Sequence, residues 1–294
     1  MLCISLGRID SRRPVRYTKT KRLKGGGLYT PPSNGRREED MPSKYLEPLM
    51  KLLSLEYNCE PEDFLRPENV LTLSALREGR RRYSEEKSFF QMATLGQNAV
   101  ITADGLLHPF LQGFSRERGR TLFEFPSLLP LERELGRYGY TLMSSFHMFL
   151  PKHDACPGPR YPVQWFYDEA IHPFYDKAGF ENALNGKSCA RPDRIAVCAL
   201  DGEAVMGMAG CSEDAPGWLQ IGVDVMPAYR SRGVGTYLVS LLKKEIIARG
   251  AIPFYGTSLS NYHSWNIAIN SGFYPAWVEI AATKKPPAQR PEDR

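Results

Sequence analysis

The chain has 294 residues, 42% hydrophobic and 24% charged, which suits one large or two ordinary globular domains. It contains no apolar run near the ~18 residues of a membrane span and no sustained apolar stretch of a secretory leader, so a cytoplasmic protein with no membrane partner is expected. The net charge of +5 is uneven: residues 1–40 hold ten Lys/Arg and four Asp/Glu (+6), which leaves 28 basic and 29 acidic residues (−1) elsewhere, so no nucleic-acid partner is expected.

Residues 1–40 are basic, rich in Gly, Pro, Ser and Thr, and poor in apolar periodicity. Such a segment buries too little surface to order itself, so a disordered tail is expected. A second reading is that the tail is not translated. Met41 opens a well-patterned helix, and Arg36-Arg37-Glu38-Glu39 reads as a purine-rich ribosome-binding sequence of a bacterial message.

Residues 41–150 read as an N-terminal α+β domain. Tyr45, Leu46, Leu49, Met50 and Leu53 give a helical stripe over Tyr45 to Leu55. Phe89 to Thr94 and Ala99 to Thr102 read as two strands around Gly96-Gln97-Asn98. Leu122 to Phe125 reads as a short strand, Leu128 to Leu135 as a helix weakened by Gly136, and Tyr140 to Leu150 as a strand. The run Arg77 to Arg82 reads as a solvated charged face. His108 and His147 stand alone and read as structural.

Pro151 to Pro162, with four prolines and a glycine in twelve residues, reads as a linker. Val163 to Leu184 reads as one or two helices broken near Pro173. Arg194 to Leu200 and Glu203 to Cys211 flank Asp201-Gly202, a hairpin signal. Ile252 to Thr257 reads as a strand, Tyr262 to Ser271 as a helix and Phe273 to Ala281 as a closing strand, with a loose tail over 284–294. The cysteines, Cys3, Cys59, Cys156, Cys189, Cys198 and Cys211, form no CxxC pair, and the five histidines complete no zinc spacing. Reduced thiols and no metal are expected.

The chain is organised around Ile221 to Gly250. Ile221, Val223 and Val225 alternate as in a half-buried strand, and Pro227 ends it. Arg230-Ser-Arg232-Gly233-Val234-Gly235-Thr236 forms a glycine-rich basic turn. Leu238, Leu241, Leu242 and Ile246 then recur at helical spacing up to Gly250. A helix start leaves N–H groups unpaired and partly positive, and glycines let a ligand approach the backbone. A pyrophosphate suits such a turn. An ordinary basic surface turn suits the spacing about as well.

Val225-x-Pro227-x-x-Arg230-x-x-Gly233-x-Gly235 resembles motif A of the GNAT superfamily of N-acetyltransferases. Asn261-x-x-Ser264-x-x-Ile267-x-x-x-x-Gly272-Phe273 is similar to motif B of that family. The resemblance covers about Tyr161 to Ala282, and the region before it is loosely similar to a two-part GNAT group with an extra N-terminal domain. It implies an α/β GNAT fold over 163–283, a mixed, splayed sheet flanked by helices. It also implies acetyl transfer from acetyl-CoA, the co-substrate, directly to a primary amine, taken as a small molecule. A protein or peptide amine, or a non-catalytic acyl-CoA-binding module, stays open as the alternative.

By the same resemblance, Val223, Val225, Arg230, Arg232, Gly233, Val234, Gly235, Thr236 and Asn261 hold the CoA, and Tyr167, His172 and Tyr175 contact the acceptor. The family's usual tyrosine acid lies four residues before the motif-B glycine, where this chain has Ala268. Tyr262, Tyr255 or His263, or else water, is the candidate substitute. Asp224, or Glu213 or Asp214 in the loop before the central strand, is the candidate base. The N-terminal domain is expected to shape the acceptor site or a homodimer contact. A fragment from Tyr161 onward is expected to bind CoA by itself. A chain beginning at Met41 should melt at the temperature of the full chain and keep its activity; calorimetry and turnover of both check this, and a clear loss in either contradicts a dispensable tail.

Overall fold

The computed structural model describes residues 43–116, 119–153, 157–187 and 190–286. The tail at 1–40, Cys3, Cys156, Cys189 and the tail beyond 286 lie outside the described residues.

Helix α1 (Ser43–Tyr57) forms where expected. Its apolar stripe of Tyr45, Leu49, Leu53 and Tyr57 is buried, and the Lys51–Glu47 pair lies on its solvent side. Strands β1 (Val70–Leu73), β2 (Phe90–Thr94) and β3 (Val100–Ala103) follow. β2 and β3, the two expected strands, pair antiparallel, and β1, not foreseen, lies parallel to β3. Helices α2 (His108–Phe114) and α3 (Phe125–Arg137) cover β2 and β3 through Leu111, Leu131 and Leu135. The short strand expected at Leu122 to Phe125 is instead a 3-10 turn (Gly119–Phe123) running into α3. Pro126 in the first turn of α3 is preset for a helix start and has no N–H to lose there.

The stretch from Tyr140 to Leu150 is two strands, β4 (Tyr140–Leu142) and β5 (Phe146–Pro151). After 157–162 comes β6 (Val163–Tyr167), where helices were expected. The side chains alternate with period two: Val163, Trp165 and Tyr167 pack to one side, Phe166 to the other. Asp168, at a φ of +47°, ends the strand, and a 3-10 turn (Asp168–Phe174) follows.

Strands β7 (Asp193–Asp201) and β8 (Ala204–Ala215) form the hairpin signalled by Asp201-Gly202. β8 runs on through Ser212, Glu213 and Asp214, so these are strand residues and not a loop. β9 (Trp218–Val225), α4 (Val234–Ala248), β10 (Ile252–Ser258), α5 (Tyr262–Asn270) and β11 (Phe273–Lys284) complete the chain. All strands join one sheet in the order β1-β3-β2-β11-β5-β10-β9-β8-β7-β6, with β4 paired to β11. Alternate residues of β9 face opposite sides: Trp218 packs with α1, whereas Leu219 and Ile221 pack under α4.

The region before the linker is therefore built into the same sheet as the region after it. β5 lies antiparallel between β10 and β11, with Tyr255 opposite Phe149 on one side and Tyr274 opposite Leu150 on the other. The run Arg77 to Arg82 is not all solvated. The Arg81 guanidinium is buried, bonded to Glu56 of α1 (2.7 Å) and Glu279 of β11 (2.7 Å). Buried Lys243 of α4 donates to the carbonyls of His153 (2.8 Å) and Ser271 (2.7 Å), which fastens the end of β5 to α4 and α5. Breaking one partner of a buried pair costs about 3–5 kcal/mol, so Arg81 strongly couples α1 to the sheet.

Cys59, Cys198 and Cys211 are free and buried, and burial pushes the Cys59 and Cys198 thiols up to about 12. Among the described residues no helix is long and apolar enough to cross a membrane.

Removing residues before Tyr161 would leave β10 and β11 flanking an unfilled gap. The isolated fragment is now expected to give no cooperative thermal transition and a poorly dispersed amide NMR spectrum. A sharp transition with native-like dispersion would contradict an essential β5.

Candidate active site

β9 and β10 run parallel and pair from Trp218/Ile252 to Ile221/Tyr255, then part. Beyond that point β9 stays on β8 through Val225, and β10 stays on β5 through Ser258. The backbone of 222–225 therefore has no strand on its β10 side. A cavity of about 900 Å³ opens there. Its walls are the parted strands, the turn before α4 and the first turns of α5. An extended ligand laid in the gap could bond that free edge as an added strand would.

The turn before α4 is shaped by two left-handed residues, Ser231 (φ +60°) and Gly233 (φ +76°). The first helical bond is Tyr237 N–H to the Gly233 carbonyl. The amides of Val234, Gly235 and Thr236 precede it and line the cavity, an arrangement that attracts anions. Arg230 also lines the cavity, and its Nε donates to the Val225 carbonyl (3.2 Å), tying the turn to β9. Arg232 stacks on Tyr229, and its carbonyl accepts from the Tyr161 hydroxyl (2.9 Å).

Arg160 was not foreseen. A Cβ on Gly233 would sit 2.7 Å from its Nη1, so this exposed guanidinium lies over the turn. No local pattern marked it, because it sits in the Pro-rich linker more than 70 residues before the turn.

Asn261 caps α5, accepting from Ser264 N–H (3.1 Å), and borders the cavity with His263. Tyr262 is 73% exposed and does not border it. Tyr255, by contrast, is buried at the point where the strands part, and its hydroxyl bonds Ser264 Oγ at 2.6 Å. Burial pushes the Tyr255 phenol up, so it holds its proton at neutral pH. Ala268 is buried in the packing of α5 and is not exposed to the cavity.

The other end of the cavity is closed by the segment 180–185, which crosses the sheet. Gly210 and Gly222 are cross-strand partners on β8 and β9. A Cβ on Gly222 would fall 1.7 Å from the Asn182 carbonyl, and one on Gly210 2.3 Å from that of Ala183. Only glycine lets the strap lie this close. Asp224 fastens it, accepting from Asn182 N–H (2.8 Å), Asn182 Nδ2 (2.7 Å) and Ala183 N–H (2.9 Å). Its carboxylate is thus engaged as an anchor. Asp193 holds the next turn through the amides of Asn185 and Gly186.

Glu213 pairs with Arg194 (2.7 Å). Tyr167, His172 and Tyr175 do not border the cavity. Tyr167 stacks under Arg249 and bonds Glu245 of α4 (3.3 Å), while His172 and Tyr175 stack on each other. Tyr175 faces Asp193, and burial with that carboxylate pushes its phenol up to about 12. The end of the cavity beside the strap is lined by Asn185, Arg191, Asp193, Ser212 and Gln220 instead. Among the described residues no group of three or more His, Cys, Asp or Glu is placed to hold a metal ion.

If the turn binds a pyrophosphate, Gly233→Asp should abolish CoA binding, because a negative side chain then occupies a left-handed position beneath Arg160. Arg160→Ala should weaken CoA binding about tenfold, less so at high salt. Calorimetry checks both; unchanged affinity in both would contradict this assignment.

Residues 160–273 match the model of the Acetyltransferase (GNAT) family. No curated protein matches the chain. Solved structures similar to it include a GNAT-family acetyltransferase from Colwellia psychrerythraea, 13% identical, covering 49% of this chain and 57% of that one with a TM-score of 0.37. A GCN5-related N-acetyltransferase from Kribbella flavida is 15% identical, with 55% and 66% covered and a TM-score of 0.39. Another from Sphaerobacter thermophilus is 15% identical, with 56% and 59% covered and a TM-score of 0.39. The chain thus spans roughly three-fifths of these structures. The match to the GNAT acetyltransferase family thus lies in residues 160–273 and does not extend to the region before them.

Proposed function

We propose that this chain transfers the acetyl group of acetyl-CoA directly to the primary amine of a small molecule. The observation that carries the reading is one continuous cavity. It joins the anion-attracting turn at α4, the free edge of β9 and a polar acceptor end. A volume of about 900 Å³ falls within the usual range of small-ligand sites, roughly 300–1,000 Å³. The strap at 180–185 closes that end against a bulky acceptor.

The residues present fit acetyl-CoA. The Gly233 turn, with Arg230 and Arg160, would hold the pyrophosphate. The free edge at 222–225 would take the pantetheine amides and polarise the thioester carbonyl through backbone N–H. In direct transfer the amine nitrogen bonds the carbonyl carbon as the carbon–sulfur bond breaks. Tyr255, buried and protonated beside Ser264, is the group placed to give a proton to the leaving sulfur. This pair supplies the acid that Ala268 does not, and it favours an enzyme over a CoA-binding module.

Release of free thiol from acetyl-CoA across a panel of small amines and peptides tests the reading. Small amines should support turnover and peptides should not. A general acid contributes ~10²–10⁴-fold, so Tyr255→Phe should lower kcat by roughly 10²-fold with little change in KM for acetyl-CoA. No thiol release with any amine, from a chain that binds CoA, would contradict catalysis.

A further inference from the structure

Ser212 lies on β8 directly across from Gln220 on β9, and both border the acceptor end of the cavity. The Ser212 hydroxyl donates to Asp214 Oδ1 at 2.7 Å. With its hydrogen committed inward, its oxygen lone pairs remain for a group in the cavity. Asp214 is fully buried, and its second carboxylate oxygen accepts no hydrogen bond among the described residues. A buried carboxylate with an unpartnered oxygen is costly, and protonation relieves that cost. Accordingly, burial holds the Asp214 carboxyl above the usual aspartate range.

The loop before β2 meets Asp214 in two ways: Arg82 N–H donates to the Asp214 carbonyl at 2.9 Å, and the Tyr83 side chain faces the carboxylate. Other groups facing the carboxylate are accounted for. Arg191, from the loop before β7, stands 3.7 Å from Oδ1. Tyr83 faces it while donating to Gln220 Oε1 (2.9 Å). Arg81 lies behind Tyr83 and is neutralised by Glu56 and Glu279. On its own strand the nearby titratable groups are Cys211, whose thiol burial keeps protonated, and Glu213, which is paired with Arg194. Asp224, Asp193 and Glu213 are engaged elsewhere, which leaves Asp214 as the carboxylate linked to the cavity through a hydroxyl.

Resting on the acetyl-transfer reading, we infer that Ser212 takes the proton of the acceptor ammonium and passes its own proton to Asp214. One N–H bond of the ammonium breaks as an Oγ–H bond forms on Ser212. The original Ser212 proton moves to Asp214 Oδ1, which becomes a neutral carboxylic acid. The freed lone pair of the amine attacks the thioester carbonyl; the C–N bond forms and the C–S bond breaks. Tyr255 protonates the departing sulfur; of the two protons then on nitrogen, one stays as the amide N–H and the other leaves through solvent, which restores the Tyr255 proton, and Asp214 returns its proton to solvent. Ser212 is the catalytic residue, and Asp214 acts through it.

The test uses the full chain with acetyl-CoA and an amine that it turns over. The pH dependence of kcat reports groups in the bound complex. Because protonated Asp214 cannot accept, wild-type kcat should fall on the acid side. Asp214→Asn, which keeps shape and main chain, should lower kcat about 100-fold and remove that acid limb. CoA affinity by calorimetry should stay within twofold. Ser212→Ala should give a comparable loss, and Ser212→Thr, which restores the hydroxyl, should recover most of it. A purely structural role would leave the acid limb in place and would not be rescued by threonine. Asp214→Asn with kcat within threefold of wild type, or with an unchanged acid limb, overturns the relay alone. A wild-type chain that binds CoA but acetylates no amine overturns the acetyl-transfer reading as well.

Discussion

The site depends on the parting of two parallel strands. Up to Ile221 and Tyr255 each of β9 and β10 uses the other to satisfy its backbone groups. Beyond that point each keeps its outer neighbour and loses the inner one. Unpaired backbone groups away from water cost roughly as much as a lost hydrogen bond, so such a gap persists only when each strand is held from outside. β8 holds β9 across eight registered pairs, and β5 holds β10 over the very residues, 255–258, that turn away. The free edge of β9 is thus an open row of backbone hydrogen-bonding groups made by topology. The α4 turn at one end and the strap at the other convert the gap into a cavity, and the proposed function assigns its anion end to the turn and its acceptor end to the strap.

The region before the linker is what keeps β10 in place. β5 fills the gap between β10 and β11, Lys243 fastens its end to α4 and α5, and Arg81 fastens α1 to β11. The same region reaches the acceptor end through Tyr83, whose hydroxyl orients the Gln220 amide. On the proposed function, this contact and the shared sheet are the route by which the region would shape the acceptor end.

The parts legible in the sequence are those encoded locally. The run from Ile221 to Gly250 states strand, turn and helix in adjacent residues, and the structure forms each of them. The hairpin at Asp201-Gly202 and the capped helix at Asn261 are equally local. Features built from distant segments were not legible. Nothing in Phe146–Pro151 says that it inserts between two strands that lie more than 100 residues later. Gly210 and Gly222 look like ordinary strand glycines until the carbonyls of 182–183 are seen against them. Val163–Tyr167 did carry a local signal, the two-residue alternation of its aromatics, but the following Pro173 and acidic residues read as a broken helix. Asp224 looked like a base because it lies on the central strand, and only its three donors from 182–183 show it as an anchor.

The central claim is that the gap between β9 and β10 and the α4 turn bind one acetyl-CoA together. Hydrogen–deuterium exchange of the full chain, with and without saturating CoA, tests this most directly. The account predicts new protection in two separate stretches, the amides of 222–225 and those of 233–236, at the same CoA concentration. Binding of CoA without protection in either stretch, or protection confined to another surface, would contradict it.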